Sequence, residues 1–145
     1  MFAKALLICF VLLLLGFPVQ AQDTVASVKS VSGEVSLIRG ESVNPAKAGM
    51  FLLEGDMLIT GTNSSAGVIF LDGTRISIGA ESELSISKYR FEPIKQEYSF
   101  DIYMKKGSAA YSSGRLGHLA PDSVRFNTPQ ATVGIRGTTF MVKVE

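Results

Sequence analysis

The stretch Val68-Ile69-Phe70-Leu71-Asp72-Gly73-Thr74-Arg75-Ile76-Ser77-Ile78 decides the fold class. Two runs of β-forming residues flank an Asp-Gly pair, which is the composition a tight hairpin demands, because glycine supplies a positive φ without steric cost. After the turn, Ile76 and Ile78 alternate with Ser77, so one face is apolar and the other wet. Before it, Val68 to Leu71 is continuously apolar, which predicts a central strand covered on both faces.

The same period of two recurs outward from this hairpin. Val31, Gly33, Val35 and Leu37 share one parity, Leu84 and Ile86 flank Ser85, and Tyr98, Phe100, Ile102 and Met104 alternate with Ser99, Asp101 and Tyr103. Sustained 3.6-residue periodicity is absent after the first twenty-one residues. Asn44-Pro45, Glu54-Gly55-Asp56, Gly61-Thr62-Asn63 and Lys106-Gly107 are expected turns. Lys88 to Glu97, with Pro93 inside it, is expected as a longer irregular connection between two sets of strands. The expectation is an all-β, single domain of many short strands, a β-sandwich or a short solenoid-like roll, with no helix longer than about two turns.

Residues 1–21 are expected to be a cleavable signal peptide. Lys4 gives a positive start, Ala5 to Phe17 an apolar run, Pro18 a break, and Val19-Gln20-Ala21 the small residues of a cleavage site. The run from Ala5 to Val19 is shorter than the roughly 18–20 residues a bilayer crossing requires, so no stable membrane span is expected after cleavage. Cys9, the single cysteine, leaves with that segment. Residues 22–145 then form one domain without cysteine, expected in the periplasm or secreted, and stabilised by packing alone. Fourteen basic and thirteen acidic residues become thirteen of each without Lys4. They are interleaved, which argues against a nucleic-acid partner, since counterion release needs a basic surplus.

Two segments carry a resemblance. The first is Gly49 to Gly61 (GMFLLEGDMLITG) followed by Ala66 to Thr74 (AGVIFLDGT), and the second is Thr128 to Phe140 (TPQATVGIRGTTF). In order, they give a Gly55-Asp56 turn, a Thr60-Gly61 turn, an Asp72-Gly73-Thr74 hairpin and a closing Thr128-Pro129…Gly134-Ile135-Arg136-Gly137-Thr138. This pattern, over roughly Val28 to Val144, resembles the FecR domain family. Founding members of that family are inner-membrane regulators of sigma factors in iron uptake, and similar domains occur in exported proteins, some beside cell-wall-binding modules. The resemblance implies a non-catalytic exported envelope module for a protein partner or a cell-wall glycan. Its alternative is a sensory accessory to a sigma-factor system.

The residues themselves give no catalytic constellation. His118, the only histidine, stands alone in the Gly114 to Pro121 loop, and a general base needs a positioned partner. No Gly-x-Ser-x-Gly elbow is present. A hydrolase would need a deep pocket with converging carboxylates. Glu54, Asp56 and Asp72 carry oxygen ligands of the kind calcium takes, but their positions beside turn glycines need no metal, and no cofactor is expected. Among the aromatics Phe91, Tyr98, Tyr103 and Tyr111, which offer apolar bodies with polar tips, Tyr98 and Phe100 are expected in the core. Tyr89 and Tyr103 are the expected surface-binding pair.

One last feature is a parity break. Val133 and Ile135 are apolar on odd positions, and Phe140, Val142 and Val144 on even ones. A bulge, a bend or a switch between sheets is expected between them, with Gly134 and Gly137 supplying its angles and Arg136 bonding across it; the alternative role for Arg136 is to reach outward to an anionic ligand.

Overall fold

The computed structural model describes residues 23–135 and 139–145, together with Gly16. The expected signal peptide, and Arg136, Gly137 and Thr138 of the expected bend, lie outside the described residues.

The chain is an all-β single domain. Its strands are β1 (Thr24–Ser32), β2 (Val35–Arg39), β3 (Ser42–Pro45), β4 (Phe51–Leu53), β5 (Met57–Thr60), β6 (Ser65–Phe70), β7 (Arg75–Ile78), β8 (Glu83–Glu92), β9 (Glu97–Ser112), β10 (Val124–Asn127), β11 (Thr132–Gly134) and β12 (Thr139–Val144). One short helix, α1 (Arg115–Leu119), follows β9. The strands form a single curled sheet in the order β3-β2-β5-β8-β9-β7-β6-β1-β4, with β10 and β12 also on β9 and β11 on β10. Pairing among the described strands is antiparallel except between β9 and β10. The result is closer to the roll than to a two-sheet sandwich.

The curl is made by β9. Its first part, Glu97 to Lys106, pairs with β8, while Gly107 to Ser112 pairs with β12 and, from Ala109, with β7. Gly107, at φ +101°, is the corner between them. A β-carbon there would overlap the side chain and Cα of Ser82. Only glycine turns the strand here. The two halves then face each other across the core. Phe70 of β6 meets Phe100 of β9 edge-on at 4.7 Å and stacks on Tyr89 of β8 at 5.2 Å.

Several sequence expectations change in the structure. The Asp72-Gly73 hairpin forms, with Gly73 at φ +88° joining β6 to β7. Its first strand, however, is covered on one face only: Val68 and Phe70 are buried, Ile69 is half-buried and Leu71 is 65% exposed. Alternation within an apolar run reflects β-propensity on the outer face. The Val31 to Leu37 set is split between β1 and β2 by a turn at Gly33. Asn44-Pro45 lies in β3, an edge strand, where a proline's missing N–H costs no ladder bond. Lys106-Gly107 is the corner inside β9 rather than a turn. Lys88 to Glu97 is mostly strand: β8 runs to Glu92 and returns through a 3₁₀ turn, Pro93–Lys95, into β9. His118 sits exposed on α1 rather than in an irregular loop.

Candidate functional site

Asp56, Thr60, Asp72 and Thr74 of the recurring turns are buried. Asp72, 2% exposed, is the centre of the largest cluster. Its Oδ1 accepts from the Tyr89 hydroxyl at 2.9 Å and the Thr74 amide at 3.3 Å. Its Oδ2 accepts from the Thr74 hydroxyl at 2.7 Å and the Leu116 amide at 3.0 Å. The Asp72 amide donates to the Tyr89 oxygen (3.0 Å), its carbonyl accepts from Arg115 N, and the Gly114 amide donates to Thr74 Oγ1 (3.1 Å). One carboxylate thus ties the β6–β7 hairpin to β8 and to the start of α1. Four donors converge on two oxygens, which suits an acceptor-only group.

Two lesser ties repeat the design. Asp56, after the Gly55 turn (φ +92°), takes a two-pronged contact from Arg39, Nε to Oδ1 at 2.9 Å and Nη2 to Oδ2 at 2.7 Å, and also accepts the Leu53 amide. Arg39 Nη2 reaches on to the Phe51 carbonyl, joining β2 to β4. At the Thr60-Gly61 turn, Thr60 Oγ1 donates to the Gly79 carbonyl (2.6 Å) and accepts the Ser82 amide. Ser82 Oγ in turn accepts the Ser108 amide beside the Gly107 corner.

Glu54, Asp56 and Asp72 are therefore committed separately. Glu54 Oε2 accepts the Tyr89 amide at 3.0 Å. Among the described residues, no group of three or more histidine, cysteine, aspartate or glutamate side chains is placed to hold a metal ion.

The expected surface aromatics divide. Tyr89 is a correction: it is 7% exposed, turned into the core with its hydroxyl on Asp72. The reason is the bulge in β8, where the register with β9 slips between Ile86 and Lys88, so parity counted from Leu84 and Ile86 inverts. Tyr111 is also buried, stacked on Phe140 at 4.8 Å. Phe100 is fully buried and Tyr98 is half-buried against the core. Tyr103 lies on the outer face of β9, half-buried between Ser85 and Asn127 on the flanking strands. Phe91 is half-buried with the Arg115 guanidinium over its ring at 5.1 Å.

In the closing motif, Pro129 is exposed in the loop between β10 and β11, which Thr128 and Ala131 close by mutual hydrogen bonds. Gly134 is a β11 residue opposite Arg125 without a positive φ, contrary to the expected bend role. Ile135 is buried but Val133 is exposed, whereas Phe140, Val142 and Val144 turn toward the core as expected.

A groove of about 580 Å³ opens where the start of β1 meets the end of β8. It is lined by Thr24, Val25, Glu54, Leu71 and the stretch from Lys88 to Glu92.

A family model described as FecR protein matches residues 56–145. The chain belongs to the FecR family. No curated protein and no solved structure matches it. The match begins at Asp56, later than the stretch from Val28 that resembles the family in sequence, yet β1 to β4 are built into the same sheet as the matched FecR residues. Of the polar residues in the FecR-like turns, Asp56, Thr60, Asp72 and Thr74 are all buried. Sequence reasoning missed their partners Arg39, Ser82 and Leu116. Separations of 17, 22 and 44 residues leave no local signal to find them.

Burial first, and then the charge and hydrogen bond of Asp72, hold the Tyr89 hydroxyl protonated far above the ordinary tyrosine value of 10.0. Burial pushes Tyr111 in the same direction. Above about pH 10 the unfolded chain releases these protons while the folded chain keeps them. The folded state then binds more protons, so stability is complete below that pH and falls as pH rises. Base titration of unfolding is expected to show a Tyr89-dependent slope approaching 1.4 kcal/mol per pH unit above pH 10. Tyr89→Phe removes that increment, and an unchanged slope in the variant contradicts the assignment.

Proposed function

We propose that this FecR-family chain is a non-catalytic module exported to the periplasm or beyond, which recognises an envelope protein partner. The observation carrying this reading is the inward commitment of the motif's polar groups. Asp56, Thr60, Asp72 and Thr74 each bond a distant part of the chain through a side-chain oxygen. Groups saturated by buried partners build a scaffold, and recognition then falls to the outer surface, where the groove along β8 and the outer face carrying Tyr103 lie.

A second reading, a sensory accessory to a sigma-factor and anti-sigma system, is favoured by the family itself. It differs in the partner's identity rather than in the type of act. A cell-wall glycan is the remaining ligand class. The deciding experiment is capture from envelope extract on the immobilised mature protein, with identification of what is retained. A retained sigma-factor regulator or outer-membrane receptor supports the sensory reading, and a different envelope protein supports the general one. Retention of glycan alone, or turnover of an envelope substrate, overturns the protein-partner proposal.

A further inference from the structure

The end of β8 is a half-finished strand. β5 covers β8 only at Glu83 to Ser85, and beyond that point β8 is paired with β9 alone. The gap is first bridged by the Gly55-Asp56 turn, where the Gly55 amide donates to the Ile86 carbonyl and the Ile86 amide to the Asp56 carbonyl. Next the Tyr89 amide points away from β9 and is met by a side chain, Glu54 Oε2, at 3.0 Å. In an antiparallel ladder, outward-facing and inward-facing residues alternate. Tyr89 faces outward with its backbone, so Phe91, two residues on and paired with Tyr98, does so too. The Phe91 amide and the Tyr89 and Phe91 carbonyls have no partner among the described residues.

These groups line the 580 Å³ groove. Glu54 occupies the place where a neighbouring strand would present a carbonyl oxygen. An adjoining hollow continues the groove past Glu54 to Leu53 and Val25. Leu71, 65% exposed, also lines the groove. On the rim, Lys88 is exposed and makes no ion pair among the described residues, whereas Arg90 is held by Glu92 and Glu97. Asp23 lines the groove as well.

We propose that this groove takes an extended segment of the partner protein as an added strand on β8, with apolar residues turned toward Leu71 and Phe91 and an acidic residue beside Lys88. The inference rests on the protein-partner reading above and names its site. Main-chain bonds supply affinity in such additions, and alternate side chains supply specificity. On binding, the Tyr89 amide exchanges the Glu54 carboxylate for a strand carbonyl, and the Phe91 N–H and C=O gain partners.

The test uses an acetylated, amidated octapeptide alternating valine and glutamate, its valine–lysine counterpart, and a version N-methylated at alternate residues, measured by calorimetry on the full chain. The glutamate peptide is expected to bind, and its lysine and N-methylated counterparts to bind at least about ten-fold more weakly, the factor that one or two hydrogen bonds or ion contacts supply. Phe91→Pro deletes an outward N–H without touching the β9 ladder and is expected to lower affinity about ten-fold with the sheet spectrum retained. Glu54→Ala frees the Tyr89 amide and is expected to raise affinity, an effect that misfolding does not mimic. Equal binding of the methylated peptide, or weaker binding by Glu54→Ala, overturns the proposal. So does a dimer of this chain that Phe91→Pro dissolves, or glycan fragments that displace the peptide. If Phe91→Pro still captures the partner found in envelope extract, the groove assignment fails while the protein-partner reading stands.

Discussion

Replacing Asp72 with alanine is expected to destabilise the domain by about 3–5 kcal/mol, a large part of the roughly 5–15 kcal/mol that keeps a domain folded. The substitution strips the acceptor from the Tyr89 hydroxyl, the Thr74 amide and hydroxyl, and the Leu116 amide. Each is a buried or nearly buried donor, and an orphaned donor costs its desolvation in full. Asp72→Asn keeps the shape and is still expected to be poorly tolerated, because its NH₂ group must face either the Leu116 amide or the Tyr89 and Thr74 donors. Tyr89→Phe removes one partner rather than the hub, so about 1–2 kcal/mol is expected. Urea denaturation of the three variants checks the ranking, alanine and asparagine well below phenylalanine. Equal stability of Asp72→Asn and wild type contradicts the role of the carboxylate.

The second large effect is expected at the corner of β9. Gly107→Ala combines a φ of +101° with a β-carbon driven into Ser82. The obstruction includes the Ser82 Cα, so a rotamer change does not relieve it. Strain at such an angle costs on the order of 1–3 kcal/mol, and overpacking about as much again. Loss of roughly 3–5 kcal/mol is therefore expected. Gly73→Ala is the control. Its φ is similarly positive at +88°, but no atom lies within 4 Å of the added carbon, so it should show the backbone strain alone. Thermal melting of the two variants separates the terms. A Gly107→Ala protein no less stable than Gly73→Ala removes the corner from the account.

These two sites also show what the sequence makes legible. Period-two alternation identified the class of fold, and Asp72-Gly73 with its flanking apolar runs identified the hairpin that joins β6 to β7. What escaped was parity across bulges. Met104 and Ile102 turn inward on even positions, yet beyond Gly107 the inward residues are Ala109 and Tyr111, on odd ones. The same inversion at Ser87 carried Tyr89 from an expected surface position into the core. A bulge adds one residue to one strand, and nothing local to the sequence distinguishes it from a turn at Lys106-Gly107 or from an irregular run after Ser87. The inward role of Asp72 was equally hidden, because its decisive partner, the Leu116 amide, lies 44 residues away on a five-residue helix. The family resemblance did mark Asp56, Gly61, Asp72 and Thr74 as residues of one pattern, and the hydrogen bonds supply the physical reason such residues recur together.

The hydrogen bonds make the Asp72-Gly73-Thr74 motif an internal tie of the fold. Amide hydrogen exchange at Thr74 and Leu116 tests it most directly. Both amides donate to the Asp72 carboxylate, so they are expected to exchange with the core amides of β6 and β9, through global unfolding alone. Exchange of the Leu116 amide in intact protein at the fast rate of an open loop would contradict it.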